Sequence, residues 1–112
     1  MTKYGNHKVT LDGIKFDSKA EARRWCELKI LERAKEITEL ERQVMFVLAP
    51  SVKYDGEARA KPALRYVLDF QYFNQRTQKW VYEDVKGTVT EGFQIKRHLM
   101  KHVHNIDVKV VR

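Results

Sequence analysis

The sequence predicts an α/β domain in which a mixed sheet lies between two helices, with a small hairpin at the N-terminal end. Two stretches rich in helix-forming residues begin at capping-box signals, Ser18 with Glu21 and Thr88 with Glu91. Three segments with strand character lie between these helices, and a fourth follows the second helix. The resulting order is hairpin, helix, three strands, helix and strand, which places helices around a sheet.

Length, composition and charge describe one folded domain with a basic surface. The 112 residues leave room for a single core, and we divide them into an N-terminal arm and hairpin, residues 1–17, and a core, residues 18–111. Hydrophobic residues make up 43% of the chain, which argues against a disordered tail. The net charge of +7 favours a polyanionic partner, nucleic acid before membrane, although a basic surface also serves solubility.

Cysteine content and hydropathy point to the inside of a cell. The single cysteine, Cys26, excludes an internal disulfide and indicates a reducing compartment. No apolar run approaches the roughly 18 residues that a membrane-spanning helix needs. The first eight residues lack the apolar core of a signal peptide. We therefore expect an intracellular protein with no membrane partner.

The first half of the chain is predicted to hold a hairpin, a helix and a long strand. Val9 to Phe16 alternates apolar and polar residues around Asp12-Gly13, a pair typical of type I′ turns. The helix is predicted from Ser18 to about Glu36. The apolar density from Ile37 to Leu48 predicts an interior strand that is covered on both faces.

The second half is predicted to hold another hairpin, two paired strands, a helix and a final strand. The basic hairpin spans Val52 to Lys61 around an Asp-Gly turn. Leu64 to Phe73 and Lys79 to Lys86 form the strand pair, because only a short turn separates them. The helix runs from Thr88 to about Val103, and the last strand from Ile106 to Val111.

Two acids and a lysine on the paired strands form the central candidate site. Asp69 interrupts an aromatic-rich strand, where a carboxylate is costly to bury without a cation or hydrogen-bond donors. Asp84 and Lys86 are two residues apart on the next strand, so they point to the same face. The short turn can bring Asp69 close to Asp84. Two neighbouring carboxylates repel each other, which favours a divalent cation between them, although Asp84 and Lys86 alone also fit a surface ion pair.

Glu21 on the first helix is the third candidate acid. It lies on the same side of the helix as Trp25 and Leu28, beside a stripe that faces the core. Its position three residues after Ser18 also fits a capping box, in which it would serve only the start of the helix. Both interpretations are open from the residues alone.

These residues, in this order of elements, resemble the PD-(D/E)xK nuclease superfamily. Asp69 stands on one strand and Asp84-Val85-Lys86 on the next, as its strand acid and acid-x-lysine motif do. Many members also place an acid on the preceding helix, where Glu21 lies. The stretches from Phe16 to Arg24 (FDSKAEARR) and from Glu83 to Gly87 (EDVKG) are similar to a small family of phage and prophage proteins in that superfamily. The likeness covers nearly the whole chain.

The resemblance implies a restriction-endonuclease-like core of order α-β-β-β-α-β that hydrolyses phosphodiester bonds with Mg²⁺ or Mn²⁺. The implied metal ligands are Asp69, Asp84, Glu21 and the Val85 carbonyl. Lys86 would orient or help deprotonate the attacking water, which completes a catalytic set with Glu21, Asp69 and Asp84. One departure is Leu68, which stands where the superfamily name has proline. Glu83 is expected to be a bystander, because an E-x-K motif would need lysine at position 85.

The basic surface is expected to hold the DNA backbone without reading its sequence. The residues expected to do so are Arg23, Arg24, Arg65, Lys96, Arg97 and Lys101. Gln94 shares the face of Arg97 and is either a phosphate contact or an ordinary surface residue.

The expected function is that of a metal-dependent DNA endonuclease, structure-selective like a Holliday-junction resolvase in phage DNA recombination or replication. Symmetric cutting of two strands needs a homodimer. The resemblance places such an enzyme in the cytoplasm of a bacterial or phage-infected host cell. The alternatives are a nicking or restriction-like endonuclease, a non-catalytic nucleic-acid-binding module of the same fold, and a basic structural protein whose acids form ion pairs.

Two further sets of residues have a functional interpretation besides a structural one. Histidines near the end of the second helix have spacings that fit zinc, but no cysteine or acid cluster accompanies them; they are His98, His102 and His104. Aromatic residues at every second position of one strand fit either base stacking or the core; they are Tyr66, Phe70 and Tyr72.

Overall fold

The computed structural model describes residues 8–112. The basic residues of the predicted N-terminal arm, Lys3 and His7, lie outside this range. The elements are β1 (Val9–Leu11), β2 (Ile14–Phe16), α1 (Lys19–Arg33), β3 (Ile37–Ala49), β4 (Leu64–Asn74), β5 (Lys79–Val85), α2 (Glu91–His104) and β6 (Val108–Val111). The predicted order is confirmed, as is the α/β class with a mixed sheet, flanking helices and an N-terminal hairpin.

One sheet contains the four strands that follow α1, in the order β3-β4-β5-β6. β3 pairs antiparallel with β4, and β4 with β5. α2 carries the chain back across the sheet, so that β6 runs parallel to β5. The turn between β4 and β5 is closed by Asn74, whose Oδ1 accepts the backbone N–H groups of Arg76 and Thr77. β4 and β5 are therefore adjacent strands, as the short turn predicts.

The N-terminal hairpin and the start of α1 follow the turn and capping signals. Asp12 and Gly13 adopt φ angles of +51° and +78°, as a type I′ turn requires. Ser18 caps α1, because its Oγ accepts the Glu21 N–H at 3.1 Å. The helix ends at Arg33 rather than near Glu36.

Two hydrophobic clusters pack the helices against the sheet. The α2 cluster contains Leu48, Tyr66, Leu68, Phe93, Met100 and Val108. The α1 cluster contains Leu28, Ile37, Phe70 and Tyr72, with Trp25 packed against it. β4 contributes to both clusters, and Asp69 is the residue at which it passes from one to the other. Tyr66, Phe70 and Tyr72 are buried, so the core interpretation of these aromatics is confirmed and base stacking is excluded.

Two predictions about the outer part of the sheet are wrong. β3 is an edge strand rather than an interior one, and it exposes Met45 and Val47. The apolar density of β3 does not distinguish an interior strand from an edge strand, because exposed apolar residues are common on protein surfaces. The second hairpin is a loop closed by one bridge between Val52 and Lys61. Pro50 and Pro62 flank this loop, and proline cannot donate the hydrogen bonds that would extend a ladder.

The last two elements begin later than predicted. Thr90 rather than Thr88 caps α2, because its Oγ1 accepts the Phe93 N–H at 3.1 Å. Val103, an apolar residue near the end of this helix, is 47% exposed. β6 begins at Val108 instead of Ile106. These shifts leave the order of the elements unchanged.

A buried ion pair fixes α1 on β5. The side chain of Glu83 is fully buried, and Nε and Nη2 of Arg24 donate to its two carboxylate oxygens at 2.8 and 2.7 Å. The Tyr72 hydroxyl also donates to this carboxylate. The hydrogen bonds to Glu83 raise the pKa of Arg24 above its usual range. Glu83, expected to be a bystander, therefore joins the helix to the sheet.

We expect Glu83→Ala to destabilise the fold by roughly 3–5 kcal/mol, because it leaves the Arg24 guanidinium without its buried partner. Urea unfolding followed by circular dichroism measures this. Glu27→Ala is the matched control, since Glu27 pairs with the same arginine at 3.1 Å on the exposed side, and it should cost less than about 1 kcal/mol. Equal, small losses for the two variants would contradict the role given to Glu83.

Candidate metal and nucleic-acid site

β4 and β5 stop pairing at Asp69 and Asp84. Phe70 still pairs with Glu83, and the strands separate at the next residues. In place of ladder bonds, the Asp69 N–H donates to Oδ1 of Asp84 at 2.8 Å, and the Val85 N–H donates to Oδ2 of Asp69 at 2.8 Å. Each carboxylate is thus held by a backbone donor, and the two acids sit together at a fork between the strands.

The β3 side of Asp69 is irregular as well. Residues on either side of Gln43 and Asp69 pair regularly between β3 and β4, but these two do not. Gln43 has a φ of +56°, in the left-handed region that residues with side chains rarely adopt. Backbone strain of this kind costs about 1–3 kcal/mol and is concentrated at functional sites. Asp69 therefore lacks a ladder partner on both sides, and the sheet is distorted around it.

Glu21 of α1 faces the same region from above the sheet edge. It is only 4% exposed. Its Oε1 accepts a hydrogen bond from Nε2 of Gln43 at 3.3 Å and lies 3.8 Å from Nη2 of Arg42. The backbone N–H of Glu21 serves the helix cap, whereas its carboxylate faces β3. In a full capping box the carboxylate would accept the Ser18 backbone N–H, whereas here it contacts Gln43 and Arg42 of β3.

Lys86 supplies positive charge just beyond the end of β5. Its backbone N–H donates to the Val111 carbonyl of β6 at 2.9 Å. Its Nζ lies 4.8 Å from the centroid of the Phe93 ring of α2, a favourable cation–π contact. The lysine charge lowers the pKa of both Asp69 and Asp84 relative to burial alone. Lys86 and the two aspartates thus form one electrostatic unit.

Burial raises the pKa of all three acids, and neighbouring negative charges add to this effect for Glu21 and Asp69. Burial raises the pKa of Glu21 to about 7, helped by the charges of Asp69 and Asp17 and opposed by Arg42. Burial raises the pKa of Asp84 to about 6, opposed by the Asp69 N–H and by Lys86. Burial also raises the pKa of Asp69, against the Val85 N–H and Lys86. Ionising these three acids near neutral pH therefore costs the folded state free energy.

The oxygen-rich site suits a hard divalent cation. Carboxylate oxygens are the ligands that Mg²⁺ prefers, and Mg²⁺ usually keeps several waters with one or two carboxylates. Asp69 and Asp84 supply such a pair. Within residues 8–112, no group of three or more acids, histidines or cysteines is drawn together tightly enough to hold a metal ion by itself. Glu21 and the Val85 carbonyl therefore remain predicted metal ligands, because none of the observed contacts tests this role.

Of the six basic residues predicted to contact DNA, five are exposed and one is held in an ion pair with a buried acid. Four are exposed on α1, β4 and α2, namely Arg23, Arg65, Lys96 and Arg97. Lys101 is exposed but pairs with Asp107 at 3.0 Å, and it lines a shallow groove with Gln94, Arg97 and His98. Arg24 is committed to Glu83 and Glu27. We therefore remove Arg24 from the candidate DNA surface.

The histidines of α2 do not form a zinc site in the described part of the chain. His104 instead packs against Phe46, with the ring centroids 5.4 Å apart. Its Nε2 lies 2.7 Å from the Val47 carbonyl oxygen. This histidine therefore attaches the end of α2 to the edge strand.

Three residues of the site were missed in the sequence. Asp17 precedes the cap of α1 and adds negative charge near Glu21 and Asp69. Arg42 and Gln43 reach Glu21 from β3. The position of Asp17, directly before the cap residue of α1, could have indicated that it lies near Glu21. The contacts of Arg42 and Gln43 could not be predicted, because the approach of β3 to α1 has no local sequence pattern.

Comparison with family models assigns the chain over nearly its full length. Residues 1–111 match a family described as "Protein of unknown function (DUF1064)". The chain belongs to this family. No curated protein and no solved structure gave a significant match. Because the family description names no activity, the function has to be argued from the site. Among the described residues, no helix has the length and apolar character needed to cross a membrane.

The raised pKa values predict that stability falls as pH rises. The folded state binds protons at Asp84 and Glu21 more tightly than the unfolded chain, whose pKa values lie near 3.8 and 4.5, so stability is lost from about pH 4 to about pH 7. Asp84→Asn keeps an oxygen acceptor for the Asp69 N–H but removes the charge. It should raise the free energy of unfolding by about 2 kcal/mol at pH 8, and by much less at pH 4.

Urea unfolding at the two pH values, without divalent metal, measures this difference. Asp55→Asn, in the exposed loop before β4, is the matched control and should have no pH-dependent effect. Equal destabilisation by Asp84→Asn at both pH values would contradict this prediction, because it would show that ionising Asp84 does not destabilise the folded state.

Proposed function

We propose that the protein is a metal-dependent DNA endonuclease of the PD-(D/E)xK type, with a restriction-endonuclease-like core, which hydrolyses phosphodiester bonds with Mg²⁺ or Mn²⁺. The observation that supports this best is the fork between β4 and β5, where Asp69 and Asp84 sit together beside Lys86. Glu21 faces the same region from α1, where many members of the superfamily place an acid. The basic exposed residues of α1, β4 and α2 fit a polyanionic substrate.

The electrostatics of the site support metal binding over a structural ion-pair cluster. In a set of satisfied ion pairs, opposite charges lower the pKa of each carboxylate. Here the pKa values of Glu21, Asp69 and Asp84 are all raised. Lys86 and Arg42 thus compensate these acids only in part. A divalent cation would complete the compensation.

The geometry suggests how the chain's own residues would act in hydrolysis. When bound, the metal would polarise the phosphate and make a bound water more acidic. Asp69 and Asp84 cannot move freely, because each accepts a backbone N–H at 2.8 Å. They would therefore hold their ligand without reorganisation, which is how preorganised sites gain rate. Lys86, held over Phe93, would orient the water and offset the charge that develops on the phosphate.

The proposed reaction is an ordinary hydrolysis. The water oxygen forms a bond to phosphorus, and the bond from phosphorus to the leaving ester oxygen breaks. The proton lost by the water passes to solvent, and the leaving oxygen takes up a proton. The products are one DNA end with a phosphate monoester and one with a hydroxyl group.

The substrate is proposed to be branched DNA, cut by a homodimer in phage recombination or replication. The net charge of +7 and the exposed arginines and lysines suit contacts to backbone phosphates, which fits recognition of DNA shape rather than sequence. A nicking or restriction-like endonuclease is the alternative within the same chemistry. A binding module of the same fold that does not cut is the alternative outside it.

We expect cleavage of labelled DNA in the presence of Mg²⁺ or Mn²⁺ and none with EDTA. Duplex, single-stranded, flap and four-way-junction DNA are compared, and paired symmetric nicks in the junction would support the resolvase. Asp69→Asn and Lys86→Met should each lower the rate by roughly 10²-fold or more, because they remove groups at the reacting phosphate.

Two exposed loop residues provide matched controls for these variants: Asp55→Asn for the acids and Lys53→Met for the lysine. Both should cut at the wild-type rate. No metal-dependent cleavage of any substrate, with DNA binding intact in Asp84→Asn, would favour the non-catalytic binding module.

Metal binding is tested separately from cleavage. Mn²⁺ at 100 times its dissociation constant should stabilise the wild-type protein by roughly 3 kcal/mol, because it binds the folded state. Asp69→Asn and Asp84→Asn should lose this gain in a thermal-unfolding assay at pH 7.5. Lys86→Met should keep it, since removing a positive charge does not remove a ligand. A full Mn²⁺ effect in both aspartate variants would place the metal elsewhere.

A further inference from the structure

Arg42 is a charged group in the site that the proposed mechanism does not use. Its charge acts on Glu21 and Asp69, whereas that of Lys86 acts on Asp69 and Asp84. Asp69 therefore interacts with the charges of two cations. One of them, Lys86, already has a proposed role towards water and phosphate.

The Arg42 guanidinium has hydrogen-bonding capacity that the protein leaves unused. Its Nε is buried and has no hydrogen-bond partner among the described residues. Its Nη2 donates to the Lys15 carbonyl at a long 3.4 Å, and Glu21, at 3.8 Å, is within ion-pair range only. A buried donor without an acceptor costs roughly 1–3 kcal/mol. The site therefore lacks an oxygen acceptor beside Arg42.

The guanidinium is nevertheless held in place. It lies 4.9 Å from the centroid of the Phe16 ring at the end of β2, and its contact with Lys15 connects it to the same hairpin. It is carried by β3 directly before Gln43, the strained residue that contacts Glu21. A fixed, planar group with free N–H donors is prepared to bind a ligand with little loss of entropy.

The surrounding charge limits the chemical class of that ligand. The neighbouring acids repel a free anion, so a ligand for Arg42 has to be held by a cation at the same time. A phosphate group meets this condition, because one oxygen can bind a metal while another accepts from the guanidinium. We propose that Arg42 forms an oxyanion site beside the carboxylates and binds a non-bridging oxygen of the substrate phosphate, opposite Lys86. This inference rests on the proposed function.

The test uses inorganic phosphate, and it needs no cleavage activity. Protein loaded with Mn²⁺ is titrated into phosphate, and the broadening of the ³¹P signal by the paramagnetic ion reports phosphate bound next to the metal. Arg42→Met keeps an unbranched side chain at this position and removes the guanidinium with its charge. It should weaken phosphate binding about tenfold, as the loss of a charge-assisted hydrogen bond does.

Arg76→Met, at an exposed arginine in the turn between β4 and β5, is the matched control and should bind phosphate as the wild type does. Mn²⁺ affinity of Arg42→Met should be unchanged or tighter, because a positive charge near Glu21 has gone. Wild-type phosphate affinity in a folded Arg42→Met would overturn the proposal, and so would loss of Mn²⁺ binding, which would make Arg42 a support of the metal site.

If Arg42→Met does not fold, the wild-type protein supplies the answer. Phenylglyoxal modifies accessible arginines, and peptide mapping locates the modified residue. Phosphate with Mn²⁺ should protect Arg42 at least fivefold relative to Mn²⁺ alone, and equal modification would overturn the proposal. Because both readouts work without DNA, a protein that binds phosphate at Arg42 but never cuts would refute the nuclease function alone.

Discussion

The separation of β4 and β5 at Asp69 and Asp84 is the constraint on which the site depends. Two backbone N–H groups that would have joined the strands are bound by carboxylates instead. This exchange keeps the buried amides satisfied while it fixes two acids next to each other. The end of β5 remains paired with β6 on its other side. β5 therefore stays in the sheet although it separates from β4 at this point.

Two helices then complete the site from different clusters of the core. α1 brings Glu21 against β3, where it contacts Gln43 and Arg42, and the buried pair of Arg24 and Glu83 helps to place this helix on the sheet. α2 brings Phe93, which supports the ammonium group of Lys86. Adjacent residues of β5 therefore have separate tasks, because alternate side chains point to opposite faces. Glu83 accepts hydrogen bonds from Arg24 of α1, and Asp84 accepts the Asp69 N–H at the fork.

Much of this arrangement was predictable because it depends on local patterns. Capping and turn residues located the elements, and the short β4–β5 turn placed Asp69 near Asp84. The interactions that were missed are between segments distant in the chain: Arg42 and Gln43 with Glu21, and Arg24 with Glu83. Composition could not show that β3 lies at the edge, since its C-terminal half is apolar at the exposed Met45 and Val47 as well as at the buried Leu48. Arg24 looked like any surface arginine, because only the fold reveals its partner.

The connection between Arg24 and Glu83 has a consequence for the choice of metal ion. Arg24 lies one helical turn from Glu21, and Glu83 is next to Asp84, so this contact, together with the α1 cluster, sets the spacing between acids on two different elements. Mg²⁺ demands a nearly ideal octahedral geometry with short bonds, and a larger ion such as Ca²⁺ accepts more variable distances. A helix that shifted by a fraction of an ångström would therefore alter selectivity among ions before it abolished binding. The buried pair therefore acts as a spacer between the proposed metal ligands, although it contacts none of them.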